Sequence, residues 1–499
     1  MPLLKSACAA GSETSRETST LVNSKLRLDE IKRFVETQRM SRKYEPGWFE
    51  KVESELHRKV AEFERDLTAE IMAAHDVDAG AIEVEGKGHR RVLRAAQTYM
   101  TQAGEVVVER WLYRDRDDDT AESISPMELR LGIVDRFWTP NAAKTALWVV
   151  AQMVPQKAAE LFERIGGMAP SKSSLDRLPK RLSEQWESNR EEYEAVLRDA
   201  MVIPEGTASV AVSLDGVLAP IDGGTPTTTL RNAAAQAGLI SKGPAGFREV
   251  GCATVSFCDA NGDLLGAIRI ARTPEAKKVT LKASLTAELL AVLRKQPELP
   301  IVKVADGVDD NWSFLSKELP AGDEVLDFFH ATEHLNLALA AAYGPSTREA
   351  RHRFEELRDC LRDDDDGAAR VIRALDYLRR KFPQRADIRR CVAYFRKHRH
   401  RMNYAALKKR RLPIGSGIVE AACKTLVAQR LKLSGMRWGR GAQAILTARG
   451  WDQSERFDEA WALLAAEHQT QVHVLARVIP FCPPKPSRMK RKTRLDNAG

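Results

Sequence analysis

Between residues 208 and 329 the chain passes through five short apolar, β-branched runs and two helical runs, the second containing Trp312, in an order that few architectures accommodate. Residues 208–214 (Ala-Ser-Val-Ala-Val-Ser-Leu) read as a buried strand, 250–258 as a second and 264–270 as a third. Asp259-Ala-Asn-Gly262 links the second to the third as a hairpin turn. A helix is predicted over 279–293, a fourth strand over 301–305 and a short fifth over 324–329; after His330 the pattern is helical to about Tyr404. A meander of three strands followed by helix, strand, helix, strand and helices predicts an α/β chain with a central mixed five-stranded sheet flanked by helices.

The flanking sequence sets the domain organisation. At 499 residues there is length for two or three domains. Residues 1–24 are polar and Ser/Thr-rich and read as disordered. Residues 25–125 carry apolar residues at helical spacing (Trp48, Val52, Leu56, Val60, Phe63), then a β-hairpin around Val106–Tyr113. Residues 126–200 are helical. Within them, a helix ended by Gly166, a turn, and a second helix capped by Ser171 form a helix-turn-helix-like region whose Lys172, Arg177, Lys180 and Arg181 could meet DNA. A plain helical hairpin with a solvated basic face is the alternative, and Pro179 interrupts the place where a recognition helix should continue. Residues 331–412 form an all-helical block with a solvated acidic loop, Asp363–Asp366, inserted between 208–330, the first part of the core, and 413–475, which is expected to complete that core and holds one further helix of interest. The tail 476–499, with six cations among residues 485–494, reads as a disordered basic arm.

Composition narrows the classes. Charged residues are 29% and the hydrophobic set 43%, the balance of a soluble protein. The net charge of +9 favours a polyanionic partner. Seven scattered cysteines, none at zinc-site spacing, fit a reduced, cytoplasmic protein. No signal peptide and no membrane-spanning run is visible.

Three acids carry the chemistry. Asp215 and Asp306 each end an apolar strand and precede glycine, which would let the backbone turn away and leave the carboxylate open. Glu420 lies in the first turn of a helix led by Gly415-Ser-Gly417. A single Asp-Gly is more often a turn, and Asp222 and Asp259 are expected to be turn residues; two Asp-Gly pairs that close core strands, with Glu420, point to a site. Three gathered carboxylates repel one another unless divalent cations intervene, and two Mg²⁺ or Mn²⁺ ions suit in-line phosphoryl displacement. No Walker loop, dinucleotide fingerprint or serine-nucleophile elbow competes with this. Lys424, four residues after Glu420, either holds a phosphate or pairs with Glu420.

The order of elements is the layout of an RNase H-like fold, and the motifs add a resemblance. Ser213-Leu-Asp-Gly-Val217, Ala305-Asp-Gly-Val-Asp-Asp-Asn-Trp312, Asp327-Phe-Phe-His-Ala-Thr-Glu-His-Leu335 and Gly415-Ser-Gly-Ile-Val-Glu-Ala-Ala-Cys-Lys424, running on to Arg437-Trp438, resemble bacterial insertion-sequence DDE transposases of the ISKra type over about residues 208–450. The resemblance implies a catalytic and metal-binding triad of Asp215, Asp306 and Glu420, two Mg²⁺ or Mn²⁺ ions, and a helical insertion like that of the Mutator and hAT transposases. It implies supporting roles for Asp327 and His330, and DNA contacts by Lys424, Arg430, Arg437 and Trp438. It further implies double-stranded DNA as transposon ends and target, a homo-oligomer assembled on DNA, and a nucleoid-associated bacterial location. The expected activity is metal-dependent cleavage and strand transfer. A non-enzymatic helix-turn-helix DNA-binding protein and a structure-specific nuclease are the alternatives.

Overall fold

A computed structural model of the chain describes residues 14–42, 45–221, 246–439 and 441–475. Asp222, Cys8, Cys482 and the basic tail 476–499 lie outside the described residues. The chain is mixed α/β and divides into two compact units, one of residues 1–99, 106–133 and 469–499, the other of 100–105 and 134–468.

In the first unit, α1 (Thr14–Met40) and α2 (Trp48–Ala74) are tied by Arg27, which meets Glu62 at 2.7 Å and also Asp66. Strands β1 (Ala81–Val84), β2 (Lys87–Thr101) and β3 (Gly104–Asp115) form an antiparallel run, and the short helix α3 (Pro126–Leu131) follows. A fourth strand, Val472–Val474, pairs antiparallel with β1 through Ile82↔Val474. Two expectations change here. Residues 14–24 lie in α1 rather than in a disordered segment, while 1–13 fall outside the described residues. Residues 469–475 belong to this unit and not, as expected for 413–475, to the sheet that follows.

The second unit begins with α4 (Pro140–Gln152), α5 (Pro155–Ile165), α6 (Lys172–Ser188) and α7 (Arg190–Ala200). Next come β4 (Ser209–Ala219), β5 (Arg248–Cys258), β6 (Leu264–Arg272), α8 (Val279–Lys295), β7 (Ile301–Ala305), α9 (Asp309–Lys317) and β8 (Asp323–Leu326). The sheet order is β6-β5-β4-β7-β8. The β4–β5 and β5–β6 pairs are antiparallel, and β7 and β8 run parallel to β4. Asp259 makes the β5–β6 turn, accepting from Asn261 N and Asp263 N at 2.8 and 2.9 Å.

β4 departs from expectation: it continues through Asp215-Gly216 to Ala219, each residue paired with β5 down to Arg248. The turn preference of Asp-Gly is overridden because β5 is long enough to keep pairing.

Five helices follow: α10 (Phe328–Tyr343), α11 (Arg348–Asp363), α12 (Gly367–Lys381), α13 (Ala386–His398) and α14 (Tyr404–Lys409). Their Leu335, Leu375 and Phe395 share a core with Val212, Leu285, Val304 and Val325 of the sheet and α8, so the helical block is packed onto the sheet. The chain then enters α15 (Gly417–Ala422), which widens into a π-helical segment, Cys423–Ala428, and runs on to Leu431. The last helices, α16 (Gly441–Gln453) and α17 (Phe457–Glu467), bury Trp451 and Trp461 against Leu175, Leu182 and Trp186 of α6. The helix-turn-helix-like region therefore shares its core with residues 441–467. No helix among the described residues is long and apolar enough to cross a membrane.

Candidate active site

The parallel register of β4 and β7, Ser213↔Val304 at its end, brings Asp215 and Asp306 to the same level at one end of the sheet. Asp215 Oδ1 accepts from the N–H of Gly216 at 2.7 Å, and the Cys423 thiol approaches Oδ2 at 3.7 Å. Burial raises the pKa of Asp215, the bond from Gly216 opposes that, and the charge of Asp306 raises it further. Lys278 also acts on Asp215, but its ammonium is engaged by Glu249 at 2.7 Å. Asp306 begins the loop after β7. Its Oδ1 accepts from Val308 N at 3.2 Å and from Asn311 Nδ2 at 3.3 Å, while its backbone carbonyl accepts from Trp312 Nε1.

Glu420 sits on α15, one turn before Cys423, and is exposed; Oε1 accepts from the Ser416 hydroxyl at 3.0 Å. What fixes α15 is Asp327. This buried carboxylate caps α10, with Oδ1 accepting from Phe329 N at 2.6 Å and His330 N at 3.1 Å; Oδ2 accepts from Ser416 N at 3.0 Å. One side chain thus joins the start of α10 to the start of the Glu420 helix. Burial raises its pKa, with the charge of Glu420 adding and the backbone donors opposing. Both Asp327 oxygens are occupied by backbone donors, so its part is to position other groups. His330 lies 3.6 Å from Glu333 and edge-on to His334 at 5.0 Å between ring centroids.

The four acids therefore fall into two electrostatically linked pairs, Asp215 with Asp306 and Asp327 with Glu420. Among the described residues, no three His, Cys, Asp or Glu side chains stand close enough together to hold a metal ion. The donor set still suits a hard divalent ion: Mg²⁺ takes one or two protein carboxylates, with water and substrate phosphate oxygens completing its shell.

The expected DNA contacts separate by burial. Lys424 and Arg437 are exposed, and no ion pair joins Lys424 to Glu420. Arg430 is a correction: it is 1% exposed. Its Nη2 donates to the carbonyls of Val150 and Met153 at 3.1 and 3.0 Å, and the guanidinium lies over the Trp438 ring at 4.9 Å. Burial, with the nearby charge of Arg449, pushes its pKa down to about 10. Arg449 is buried too and donates to Leu426 O and Ala151 O. Among the described residues neither guanidinium forms an ion pair with a carboxylate; both dock on carbonyls at the C-terminal end of α4, where the helix dipole favours cations. Trp438 is half-buried, its Nε1 donating to Leu431 O at 3.1 Å, and it packs beside Ala219, Ile221 and Leu431. It is held as a packing residue instead of a free stacking platform.

On α6, Ser171 caps the helix, accepting from Ser174 N at 3.1 Å, and the helix runs through Pro179 to Ser188 instead of breaking there. Arg177 pairs with Asp135 at 2.9 Å, Lys180 with Asp176 at 2.5 Å, and Arg181 lies near Asp135 and Glu184. Lys172 is the exposed cation of the four with no such partner among the described residues. The acidic loop is not merely solvated: Asp363 pairs with Lys408 and Asp365 with Lys409.

Two features escape a motif-based reading. Residues 379–411 hold fourteen Lys or Arg against one acid, Asp387, a charge excess visible by counting. Tyr394, in the same stretch, brings its ring from α13 against Gly307, the residue after Asp306, and nothing in its sequence neighbourhood marks it.

No protein-family model matches the chain, and no curated protein matches it at a significant level.

Proposed function

We propose that this chain is a DDE-type transposase of the ISKra kind, acting on double-stranded DNA ends. The observation that carries the reading is the seating of Asp215 on β4 and Asp306 just past the end of the adjacent parallel strand β7, with the helix that begins at α15 held to the same end of the sheet by the Cys423–Asp215 and Asp327–Ser416 contacts. The sheet order supports an RNase H-like core, because numbering β4 to β8 as strands one to five gives 3-2-1-4-5 with the second strand antiparallel. The helical block between β8 and α15 agrees with an insertion at the place the resemblance implies.

In this reading Asp215 and Asp306, with Glu420 from α15, would hold Mg²⁺ or Mn²⁺, which would neutralise phosphate charge and make water or a 3′-hydroxyl an effective nucleophile. Asp327 sets the position of Glu420 through Ser416. The exposed Lys424 and Arg437 contact the DNA backbone, and copies of the chain pair on the transposon ends. The paired charges on α6 give little support to a helix-turn-helix repressor.

The test uses a duplex carrying the inverted-repeat end found beside the gene. Asp215→Asn, Asp306→Asn and Glu420→Gln should each abolish Mg²⁺-dependent cleavage with binding retained. Substantial cleavage by any of the three refutes the triad, and cleavage without a strand-joined product assigns the chain as a nuclease.

A further inference from the structure

Tyr394 stands on α13, in the helical block, yet its ring closes on the loop that carries Asp306. A Cβ on Gly307 would fall 2.4 Å from Tyr394 Cε2 and 2.9 Å from its hydroxyl oxygen, so the residue after the acid is glycine where this ring passes. The ring is fixed on its other sides. It stacks on His334 at 4.0 Å with planes 20° apart, and meets His398 at 4.9 Å and His330 at 6.3 Å. Only the hydroxyl lacks a role: it is buried and makes no hydrogen bond. A buried hydroxyl without a partner is costly, and such groups are rare in folded chains.

The acid just before Gly307 offers a complementary acceptor. Asp306 accepts both of its hydrogen bonds on Oδ1, at 3.2 and 3.3 Å, and no bond to Oδ2 is found among the described residues. Burial, together with the charges of Asp306 and Asp327, keeps the Tyr394 phenol protonated and therefore a donor. Carboxylates that bind metal are themselves hydrogen-bonded by a surrounding set of groups, and removing one such partner weakens metal affinity or activity.

We propose that Tyr394 is a positioning residue for Asp306, its hydroxyl donating to Oδ2 in the working site and thereby fixing which carboxylate oxygen faces the reaction. This rests on the reading of Asp306 as a metal-binding acid. It makes the helical block a wall of the site, with Tyr394 acting through Asp306 and not on DNA itself.

The test is Mn²⁺ binding to the full chain, followed by the electron paramagnetic resonance of free Mn²⁺ without DNA. Tyr394→Phe keeps the ring against Gly307 and the stack on His334. It should weaken Mn²⁺ binding about 10-fold without changing the melting temperature, and it should add nothing to the loss already caused by Asp306→Asn. On the inverted-repeat duplex, Tyr394→Phe should cleave about 10- to 100-fold more slowly at unchanged duplex affinity, and added Mn²⁺ should restore much of the rate. Tyr394→Leu should show the same Mn²⁺ loss together with a lower melting temperature.

Wild-type Mn²⁺ binding by Tyr394→Phe overturns the proposal, as does a further loss on top of Asp306→Asn. Absence of carboxylate-dependent Mn²⁺ binding in the wild-type chain overturns it together with the metal reading. Cleavage that survives Asp306→Asn overturns the triad separately.

Discussion

Arg430→Met separates a structural guanidinium from a DNA-binding one. The wild-type side chain is 1% exposed and gives hydrogen bonds to Val150 O and Met153 O at 3.1 and 3.0 Å, with a longer one from Nε to Val150 O at 3.4 Å. Methionine fills similar volume and supplies no donor, so two acceptors at the end of α4 lose their partner. Each buried acceptor left unsatisfied costs about 1–3 kcal/mol, giving roughly 2–6 kcal/mol in all. Loss of the stack on Trp438 adds about 1 kcal/mol. Relief of the repulsion from Arg449 and of the burial of one cation offsets part of this. A net destabilisation of about 2–4 kcal/mol is expected. Urea unfolding should show a lower midpoint at unchanged slope, and folded protein in low urea should bind duplex DNA with the wild-type salt dependence. Wild-type stability combined with weaker DNA binding and a salt slope shallower by about one would refute this account of Arg430.

The remaining expectations concern the acids' supports and one histidine. Asp327→Ala removes the cap of α10 and the clamp on Ser416; it should cost about 1–2 kcal/mol in a melting experiment and reduce cleavage more than duplex binding. Gly307→Ala drives a methyl into the Tyr394 ring and should cost about 1–3 kcal/mol, with Tyr394→Leu recovering part of it in a double-mutant cycle. His398 is buried, and burial, with Arg401 and Lys397 nearby, pushes its pKa down to about 4 from the ordinary 6.5. Above pH 6.5 the imidazole is neutral in both states. Between 6.5 and about 4 the unfolded chain alone takes the proton, so stability falls with pH by about 1.4 kcal/mol per unit. Below about 4 this contribution levels off. His398→Phe should flatten urea midpoints across that window; an unchanged slope would refute the assignment.

What the sequence disclosed follows the physics of local signals. β5, β6 and β7 are apolar runs bounded by turn residues, and their limits are readable within a few residues. β4 is misread at its end because Asp215-Gly216 carries a strong local turn signal, while the pairing that overrides it lies with Arg248–Val250. The strand Val472–Val474 is three residues long, and its partner β1 is about 390 residues upstream. Asp215, Asp306 and Glu420 stand out in the sequence because each lies in a recognisable motif. Arg430 looked like a surface cation because the carbonyl that engages it is 280 residues upstream. Tyr394 carries no mark in the sequence for the same reason: the backbone its ring passes, at Gly307, lies on another element.

The π-helical segment Cys423–Ala428 lies between Glu420 and Arg430. Such a segment places five residues where an α-helical turn would place four. Helical-wheel reasoning started from Glu420 thus goes out of phase before it reaches Arg430, by about 100° for each added residue. That phase shift lets one continuous helix keep an acid at the open end of the sheet and a guanidinium inside the protein. A chain with the same acid and the same arginine but one residue fewer between them would share the motif on paper and present a differently turned surface.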